Sequence, residues 1–397
     1  MTTRKPMLID ADTHVVESPE AWISAVPASR RHLVPHVRRT DDGLDRWFIG
    51  EKAIAPIGIF GLAGTDYAYG DGFPASIDEL PEASWNAARR LAMMDELGVH
   101  AHVIYPNVLG FGLYVLSKLD DRELAIDCVR IYNEWLTSWA RPSGGRLVPI
   151  ALLPVWDLSG TLREAERAAA EGHRGILFPV HPHEFGLPGI HSRHWDPLWH
   201  LCQEARLSVN FHIGFGSSME ETLAKSPAGY AEEVGPRSAA VALAGTTFGE
   251  NISGLANLVM SGVLQRYPRL NFVSVESGIG YIPYMLEMLD WQFAGSRAWK
   301  ERPEFTDPPS AYFRRQVYTM YWFEQLGPRR LLDAVGADRV MMETDFPHPT
   351  SLAHTAGLQG RPVAEYIAAA TDFLAPEDRD RIMWQNAAQL YQVPLPA

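Results

Sequence analysis

Cysteine, basic charge and long apolar runs are all scarce in this sequence. Its 397 residues include only two cysteines, Cys128 and Cys202, which lie in separate predicted helices and lack the spacing of a metal site. We therefore expect two buried thiols in a reducing compartment. The 35 basic residues against 48 acidic ones give a formal charge of −13. This balance argues against nucleic acid or an anionic membrane as a partner, because both require a positive surface.

The chain also lacks an apolar run of roughly 18 residues, the length that a membrane-spanning helix requires. Its start, MTTRKPML, has no apolar signal-peptide core. We therefore expect a cytoplasmic protein without membrane contact. Its 46% hydrophobic content is enough for a large core.

Short β-rich runs alternate with amphipathic helical stretches over most of the sequence. This alternation predicts a parallel sheet, and eight runs predict a closed (β/α)₈ barrel, the TIM barrel of the α/β class. The runs cover 7–15, 100–107, 147–155, 175–180, 207–214, 270–278, 317–323 and 340–348. No break in composition indicates a second domain, so we expect one domain over residues 1–397.

Two stretches exceed a minimal barrel. Residues 18–86, rich in Gly, Pro and aromatics, form a long insertion after the first strand, and residues 215–267 form a helical insertion after the fifth. Both follow the carboxyl ends of strands, where TIM barrels carry their active sites. We therefore expect both insertions to act as lids or binding loops.

The first predicted strand, MLIDADTH, carries polar residues where a core is expected. Alternate residues of a strand share a face, so Asp10, Asp12 and His14 point together into the barrel. Buried unpaired, each would cost on the order of a few kcal/mol, so they need hydrogen-bond partners or a cation. Asp12 and His14 suit a divalent metal, although a capped strand end or a hydrogen-bonded buried histidine also fits. Asp10 lies one layer deeper and could orient a ligand.

Two other strand ends carry matching residues. His212 lies on the apolar strand VNFHIG, and Asp345 follows the last strand in METDFPHP. Each alone is compatible with a structural role, as a bonded core histidine or a turn former. Because the carboxyl ends of barrel strands meet at one face, both residues are expected to converge with Asp12 and His14 in one cleft.

Four segments, in order along the chain, resemble the amidohydrolase superfamily in its aminocarboxymuconate-semialdehyde decarboxylase-like branch: DADTHVVE, FHIG, VESGIGYIPYMLEMLD and METDFPHP. The resemblance covers nearly the whole chain and implies a metal-dependent TIM barrel, commonly a homodimer. Residue by residue, it implies metal ligands at Asp12, His14, His212 and Asp345. The chain departs from the branch at Asp12-x-His14, where His-x-His or Glu-x-Ala is usual, and at Glu276, where a catalytic histidine is common.

The resemblance also implies the reaction. Most members are non-oxidative decarboxylases of aromatic or unsaturated carboxylic acids, so such a small acid is the expected substrate. The expected cofactor is one divalent metal, zinc before manganese. Glu276 would be the group that transfers the proton, in decarboxylation as in the alternative reaction. Hydrolysis of a C–N, ester or C–C bond, with Asp345 as the base for a metal-activated water, is the alternative, and a non-catalytic metal-binding barrel is the remote one.

Three further residues are candidates at the rim of the barrel. Glu17, after the first strand, is predicted to bind substrate, with metal ligation or helix capping as alternatives. His181, in LFPVHPH after the fourth strand, is predicted to be catalytic, the alternative being an exposed turn histidine. His348, three residues after Asp345, is predicted to contact substrate or to hold Asp345 in place.

Overall fold

A barrel of eight parallel strands forms the centre of the computed structural model, which describes residues 7–68, 72–215, 226 and 229–396. The strands are β1 (Leu8–His14), β2 (His36–Arg39), β3 (Asp45–Ile49), β4 (Lys52–Pro56), β5 (Val99–Tyr105), β6 (Leu147–Ala151), β7 (Gly175–Leu177), β8 (Ser208–His212), β9 (Phe272–Val275), β10 (Val317–Tyr321) and β11 (Val340–Met342). The barrel order is β1-β5-β6-β7-β8-β9-β10-β11. The predicted TIM barrel is confirmed, and its strands end earlier than the predicted runs, which extended into the connections beyond them.

Helices surround this sheet. They are α1 (Glu20–Ile23), α2 (Ala87–Leu97), α3 (Val108–Leu116), α4 (Arg122–Ala140), α5 (Leu158–Ala170), α6 (Asp196–Ala205), α7 (Tyr230–Val234), α8 (Pro236–Phe248), α9 (Glu250–Met260), α10 (Val263–Arg266), α11 (Ile282–Ser296), α12 (Pro309–Gln316), α13 (Leu326–Val335), α14 (Leu352–Leu358), α15 (Val363–Thr371), α16 (Pro376–Asp380) and α17 (Asn386–Tyr391). Side chains of Asn86, Asp121 and Asp157 cap the amino ends of α2, α4 and α5. Within the described ranges, no helix is both long and apolar enough to cross a membrane.

The two predicted insertions lie where they were expected. The first contains an antiparallel sheet, β2-β3-β4, which the sequence analysis did not predict. This sheet packs on α3, where a Cβ at Gly112 would lie 2.8 Å from the Cδ1 atom of Ile49. The second insertion is helical as predicted and comprises α7 to α10, while residues 216–225, 227 and 228 lie outside the described ranges. Both insertions stand at the carboxyl ends of the barrel strands.

The barrel closes between the segment that follows β11 and the first strand. The backbone N–H of Asp345 donates to the carbonyl of Asp12 at 3.0 Å, and the N–H of His14 donates to the carbonyl of Phe346 at 2.7 Å. These bonds replace a regular ladder, since β11 itself ends at Met342. Closure therefore places Asp345 directly beside Asp12, more than 300 residues away in the sequence.

A buried arginine fastens α2 to the end of β1. The guanidinium of Arg90 donates to the carbonyls of His14 at 2.7 Å and Ala83 at 2.6 Å, and it lies 4.5 Å from the ring centre of Phe346. Burial lowers the pKa of Arg90 to about 9, and the nearby Asp10 carboxylate opposes this shift. Arg90 thus supplies donors to carbonyls that water cannot reach.

Replacing Arg90 tests this fastening. Arg90→Met is expected to lower the free energy of unfolding by about 2–4 kcal/mol, because it leaves buried carbonyls without donors. Urea denaturation measures the change. Arg89→Met on the same helix is the control, since Arg89 is 66% exposed and its ion pair with Glu82 lies at the surface. Equal losses in the two variants would contradict the assigned role.

Candidate metal centre

The end of the first strand supplies two buried donors. Asp12 and His14 are 0% and 1% exposed, and the Nε2 atom of His14 lies 3.4 Å from the Oδ1 atom of Asp12. Neither carboxylate oxygen of Asp12 has a hydrogen-bond partner among the described residues. Burial lowers the pKa of His14 well below its usual range, and nearby His348 and His212 add to the shift. His14 is therefore a neutral imidazole, the form in which histidine binds a metal.

His212 faces the same point from the end of β8. Its Nδ1 atom contacts the carbonyl of Ile213 at 2.8 Å and can donate to it, which directs Nε2 into the cluster. That Nε2 lies 3.1 Å from the Nε2 atom of His14 and 3.5 Å from the Oδ2 atom of Asp12. Burial lowers the pKa of His212, but the carboxylates of Asp12 and Glu276 outweigh it and raise the pKa to about 10. The carboxylates around the Nε2 atom of His212 thus stabilise a positive charge there.

Asp345 and Glu276 complete the cluster from the segments that follow β11 and β9. The Oδ1 atom of Asp345 lies 3.5 Å from the Nε2 atom of His14, and the Oε2 atom of Glu276 lies 3.7 Å from the Nε2 atom of His212. Both carboxylate residues have a left-handed backbone, with φ of 58° and 53°. This conformation is costly for residues other than glycine and is concentrated at functional sites.

Burial raises the pKa of both carboxyl groups well above their usual ranges. For Glu276 the neighbouring Asp345 adds to the shift, and for Asp345 the neighbouring Asp12 does so. In each case His212 opposes the change. Without a cation the centre therefore holds protons on some of its carboxyl groups.

Sequence reasoning missed a further carboxylate, Glu343. It is fully buried, and its Oε2 atom accepts the backbone N–H of Glu276 at 3.3 Å. Burial first, and then Asp12 and Glu276, raise the pKa of Glu343 well above its usual range. The signal was available, because Glu343 and Asp345 are two residues apart at a strand end, as are Asp12 and His14.

These residues fit a divalent metal. Ligand atoms bonded at about 2.0–2.2 Å to one ion lie roughly 3.0–3.5 Å apart, and the His14, His212 and Asp12 contacts span 3.1–3.5 Å. Donor atoms of Asp12, Glu276 and Asp345 also lie within 4.8 Å of one another. A bound cation would explain three features of the site: the unpartnered oxygens of Asp12, the neutral imidazole of His14 and the excess of buried carboxylates. The structure therefore brings the four predicted ligands together.

Glu17 is placed elsewhere than predicted. Its Oε1 atom accepts the backbone N–H groups of Asn107 at 2.8 Å and Val108 at 3.1 Å, at the amino end of α3. Burial raises the pKa of Glu17 to about 8, while these two bonds lower it. Glu17 is also absent from the lining of a pocket beside the centre that contains Glu276, His348 and Thr350. Helix capping was one of the predicted alternatives, but Glu17 caps α3 and not the helix that follows β1. The predicted substrate contact has no support in this geometry.

His181 also lies apart from the centre. Its Nε2 atom is 3.0 Å from the hydroxyl of Ser253 on α9, and it lines a separate cleft with His183 and His191. The predicted catalytic role therefore has no support from its position. The prediction relied on its strand-end placement, but the chain after β7 carries the side chain outward to the second insertion.

His348 and Asp10 support the centre from two sides. The Nδ1 atom of His348 lies 2.9 Å from the Oδ1 atom of Asp345, and its Nε2 atom lies 2.6 Å from the Oδ1 atom of Asn107. His348 lines the pocket, but both of its nitrogens are engaged by protein, so it holds Asp345 in place. Asp10 accepts the backbone N–H of Thr344 at 2.8 Å, next to Asp345. It also accepts the backbone N–H of Asp12 at 3.4 Å, so it contacts the backbone beside one predicted ligand and of another.

A pocket opens beside the centre. Its floor contains Glu276, His348 and Thr350, and its walls come from α3, α8 and the first insertion. The hydroxyl of Thr350 contacts Asp345 and lies 3.1 Å from the Oε1 atom of Glu276. The predicted cleft beside the metal ligands is thus present, and the first insertion forms part of its wall.

Known proteins resemble this chain in sequence and in fold. A curated gamma-resorcylate decarboxylase of Rhodococcus jostii (strain RHA1) is 26% identical over 322 residues, which cover 77% of this chain and 87% of that protein. A solved amidohydrolase from Mycobacterium avium subsp. paratuberculosis has a TM-score of 0.74 at 20% identity and covers 98% of this chain and 100% of its own. A dihydroxybenzoic acid decarboxylase from Polaromonas, solved with bound manganese, has a TM-score of 0.62 at 19% identity, with 97% and 96% of the two chains covered.

The structural matches lie below 25% identity and support the fold alone. The curated relative is a decarboxylase, in agreement with the branch and the activity that the sequence analysis predicted. The family assignment itself comes from a sequence model described as amidohydrolase, which matches residues 9–393, nearly the whole chain. The chain belongs to the amidohydrolase family.

Proposed function

We propose that this protein is a metal-dependent, non-oxidative decarboxylase of an aromatic carboxylic acid. The observation that carries the proposal is a buried cluster of carboxylates and imidazoles that opens into a mostly apolar pocket with Glu276 on its floor. Such a pocket suits an aromatic ring, and the cluster suits a cation that receives the ring's carboxylate. The gamma-resorcylate decarboxylases among the curated relatives support the same reaction.

The metal would be held by Asp12, His14, His212 and Asp345. When bound, it would supply positive charge that orients the substrate carboxylate with a neighbouring oxygen and stabilises negative charge during the reaction. Zinc was the first choice from the sequence. The manganese in the Polaromonas structure and the carboxylate-rich surroundings here support manganese as the first metal to test.

Glu276 is the proposed proton donor. Decarboxylation puts a proton on the ring carbon that loses CO₂, and the electron pair of the broken C–C bond returns to the ring. Glu276 lines the pocket, and burial raises the pKa of its carboxyl group well above the usual range, which favours the protonated form that can donate. The N–H contact from Glu276 to Glu343 and the hydroxyl of Thr350 hold it in place.

Asp345 is held on its other side by His348, whose second nitrogen is fixed by Asn107. This chain of contacts keeps the ligand directed at His14, 3.5 Å away. The pocket walls would exclude water from the ring, which favours proton transfer from Glu276 over exchange with solvent.

The homodimer implied by the family resemblance stays a prediction. Two aromatic side chains on α11, Tyr284 and Trp291, are 75% and 77% exposed and are our candidates for its contact surface.

A direct assay tests the proposed reaction. We expect CO₂ release from hydroxylated benzoates with formation of the matching phenol, loss of activity after chelation, and recovery with Mn²⁺ or Zn²⁺. Aryl esters and anilides are tested in parallel. Hydrolysis of these compounds without CO₂ release would favour the hydrolase, and bound metal with neither reaction would favour the non-catalytic barrel.

Removing a ligand tests the metal site. His212→Ala is expected to lose most of its bound metal, with affinity reduced at least about tenfold, because the remaining donors no longer enclose the ion. His173→Ala is the control, since His173 is also buried but its Nε2 atom lies 2.9 Å from the hydroxyl of Thr137 on the outer helix α4. Elemental analysis of both variants decides the point, and equal metal contents would exclude His212 as a ligand.

Replacing the proton donor separates chemistry from metal binding. Glu276→Gln is expected to keep its metal and to lower kcat by roughly 10²–10⁴, because glutamine preserves size but carries no transferable proton. Glu324→Gln is the control. Glu324 accepts the N–H groups of Ile279 and Gly280 at 2.9 and 2.8 Å, the capping role that could otherwise be attributed to Glu276. An unchanged kcat would remove Glu276 from the reaction, and a lost metal would make it a ligand.

A further inference from the structure

The turn after β7 carries three side chains of metal-binding type. The segment His181-Pro182-His183-Glu184 follows this strand, and a short 3₁₀ helix covers Pro182–Phe185. Donor atoms of His181, His183 and Glu184 lie within 4.8 Å of one another. None of the four predicted ligands of the barrel centre belongs to this cluster. The turn therefore presents a second group of donors, in a different part of the chain.

The backbone of the turn groups these donors. Pro182 occupies the first position of the 3₁₀ helix, where its ring restricts φ. The N–H of Glu184 donates to the carbonyl of His181 at 3.0 Å. In 3₁₀ geometry, side chains three residues apart lie nearly above one another, which places His181 and Glu184 on one side. Gly186, with φ of 71°, ends the helix in a left-handed conformation that favours glycine. A short and conformationally restricted turn thus holds the donors together.

A contact with α9 orients the His181 ring. Its Nε2 atom lies 3.0 Å from the hydroxyl of Ser253, and this hydroxyl can donate to the carbonyl of Glu250 at 3.5 Å. When Nε2 donates to the hydroxyl, Nδ1 keeps the lone pair that a metal requires. Histidine ligands are commonly held in this way through their second nitrogen. Ser253 can thus fix His181 in a metal-binding tautomer.

A cleft beside the cluster offers a third imidazole. His191 lines this cleft together with His181 and His183. The His191 ring lies on the backbone of Gly189, where a Cβ would be 2.8 Å from its Cε1 atom. His191 is therefore placed where it can add a fourth donor from the opposite arm of the loop.

Arg302 also lines the cleft, and an unpaired guanidinium there would repel a cation. Its Nε atom lies 2.6 Å from the Oε1 atom of Glu304, and its Nη1 atom donates to the carbonyl of Met260 at 2.8 Å. Both side chains of the ion pair are more than 30% exposed, so solvent screens what remains of the field. The charge of Arg302 is thus balanced within the protein and leaves the turn accessible to a cation.

We propose that the cluster of His181, His183 and Glu184 is a second metal site, which takes zinc or a related transition metal. Two imidazoles and one carboxylate are an ordinary donor set for zinc, and His191 or water can complete the coordination. Magnesium and calcium prefer sites built from oxygen donors alone. The bound ion links the turn after β7 to α9 through His181 and Ser253.

The helix that receives this link also contacts the barrel centre. The side chain of Asn251 on α9 donates to the carbonyls of Phe211 at 3.0 Å and Val275 at 3.3 Å. These carbonyls immediately precede His212 and Glu276 in the chain. An ion at the turn therefore stabilises the helix that holds the ends of β8 and β9, without entering the centre itself.

The number of zinc ions bound per chain tests the second site. Dialysis against free Zn²⁺ is needed, because an exposed site with few protein donors exchanges its ion more readily than a buried one. We expect about two ions per chain in the wild type and about one in His183→Ala, which loses a ligand of the turn. His212→Ala is expected to keep the ion at the turn. His200→Ala is the control, since His200 is exposed on α6 and does not line the cleft.

Thermal unfolding supplies a second readout of the same ion. Zinc is expected to raise the Tm of His212→Ala by at least about 2 °C, because it binds the folded turn. The double variant His183→Ala/His212→Ala is expected to show no such rise. A rise that persists in the double variant would contradict the assigned ligands.

The remaining outcomes are distinct. Equal zinc contents in the wild type and His183→Ala would overturn the inference, and so would a loss in His200→Ala equal to that in His183→Ala, which would indicate adventitious binding by surface histidines. If His183→Ala loses an ion and His212→Ala loses none, the second site is upheld while the proposed barrel centre fails. Glu184→Gln serves if His183→Ala does not fold, and it is expected to weaken zinc binding at the turn at least about tenfold.

Discussion

Repulsion among buried carboxylates is the constraint around which this barrel is organised. Asp12, Glu276, Glu343 and Asp345 are all 5% exposed or less and point at one region. Such a group cannot remain fully ionised inside a protein without compensation. Protons and a divalent cation are two ways of supplying it, so metal binding is coupled to proton release. The imidazoles of His14 and His212 lie where they can act as ligands of such a cation.

Barrel closure brings these charges together. The hydrogen bonds from Asp345 to Asp12 and from His14 to Phe346 are backbone contacts, so they specify the meeting of the two chain ends independently of the ligand side chains. Arg90 adds a third link at the same junction through the carbonyl of His14. The site is therefore assembled by the same contacts that complete the sheet, and folding and site geometry are difficult to separate.

Much of this arrangement was predictable because it follows from periodicity. Strand alternation identified Asp12 and His14, and the common face of a parallel barrel implied that His212 and Asp345 would join them. The same alternation, applied to Glu343 and Asp345 after the last strand, would have predicted Glu343 as well.

Loop residues were not predictable in this way. Glu17 and His181 follow strands, but the direction of a side chain after a strand depends on tertiary packing. Glu17 caps the amino end of α3, and His181 points toward α9. The β2-β3-β4 sheet was missed for a similar reason, since its short strands carry weak patterns. The insertions were predicted to form lids or binding loops, but the particular residues that line the pocket depend on tertiary packing and could not be predicted from the sequence.

The two insertions supply pocket walls but none of the four predicted metal ligands, which belong to β1, β8 and the segment after β11. The predicted ligands and much of the pocket lining thus lie in different segments of the chain. Substitutions in α8 or in the first insertion can change the accepted ring without touching the reacting centre. A change of the accepted substrate therefore does not require a change of the four predicted ligands.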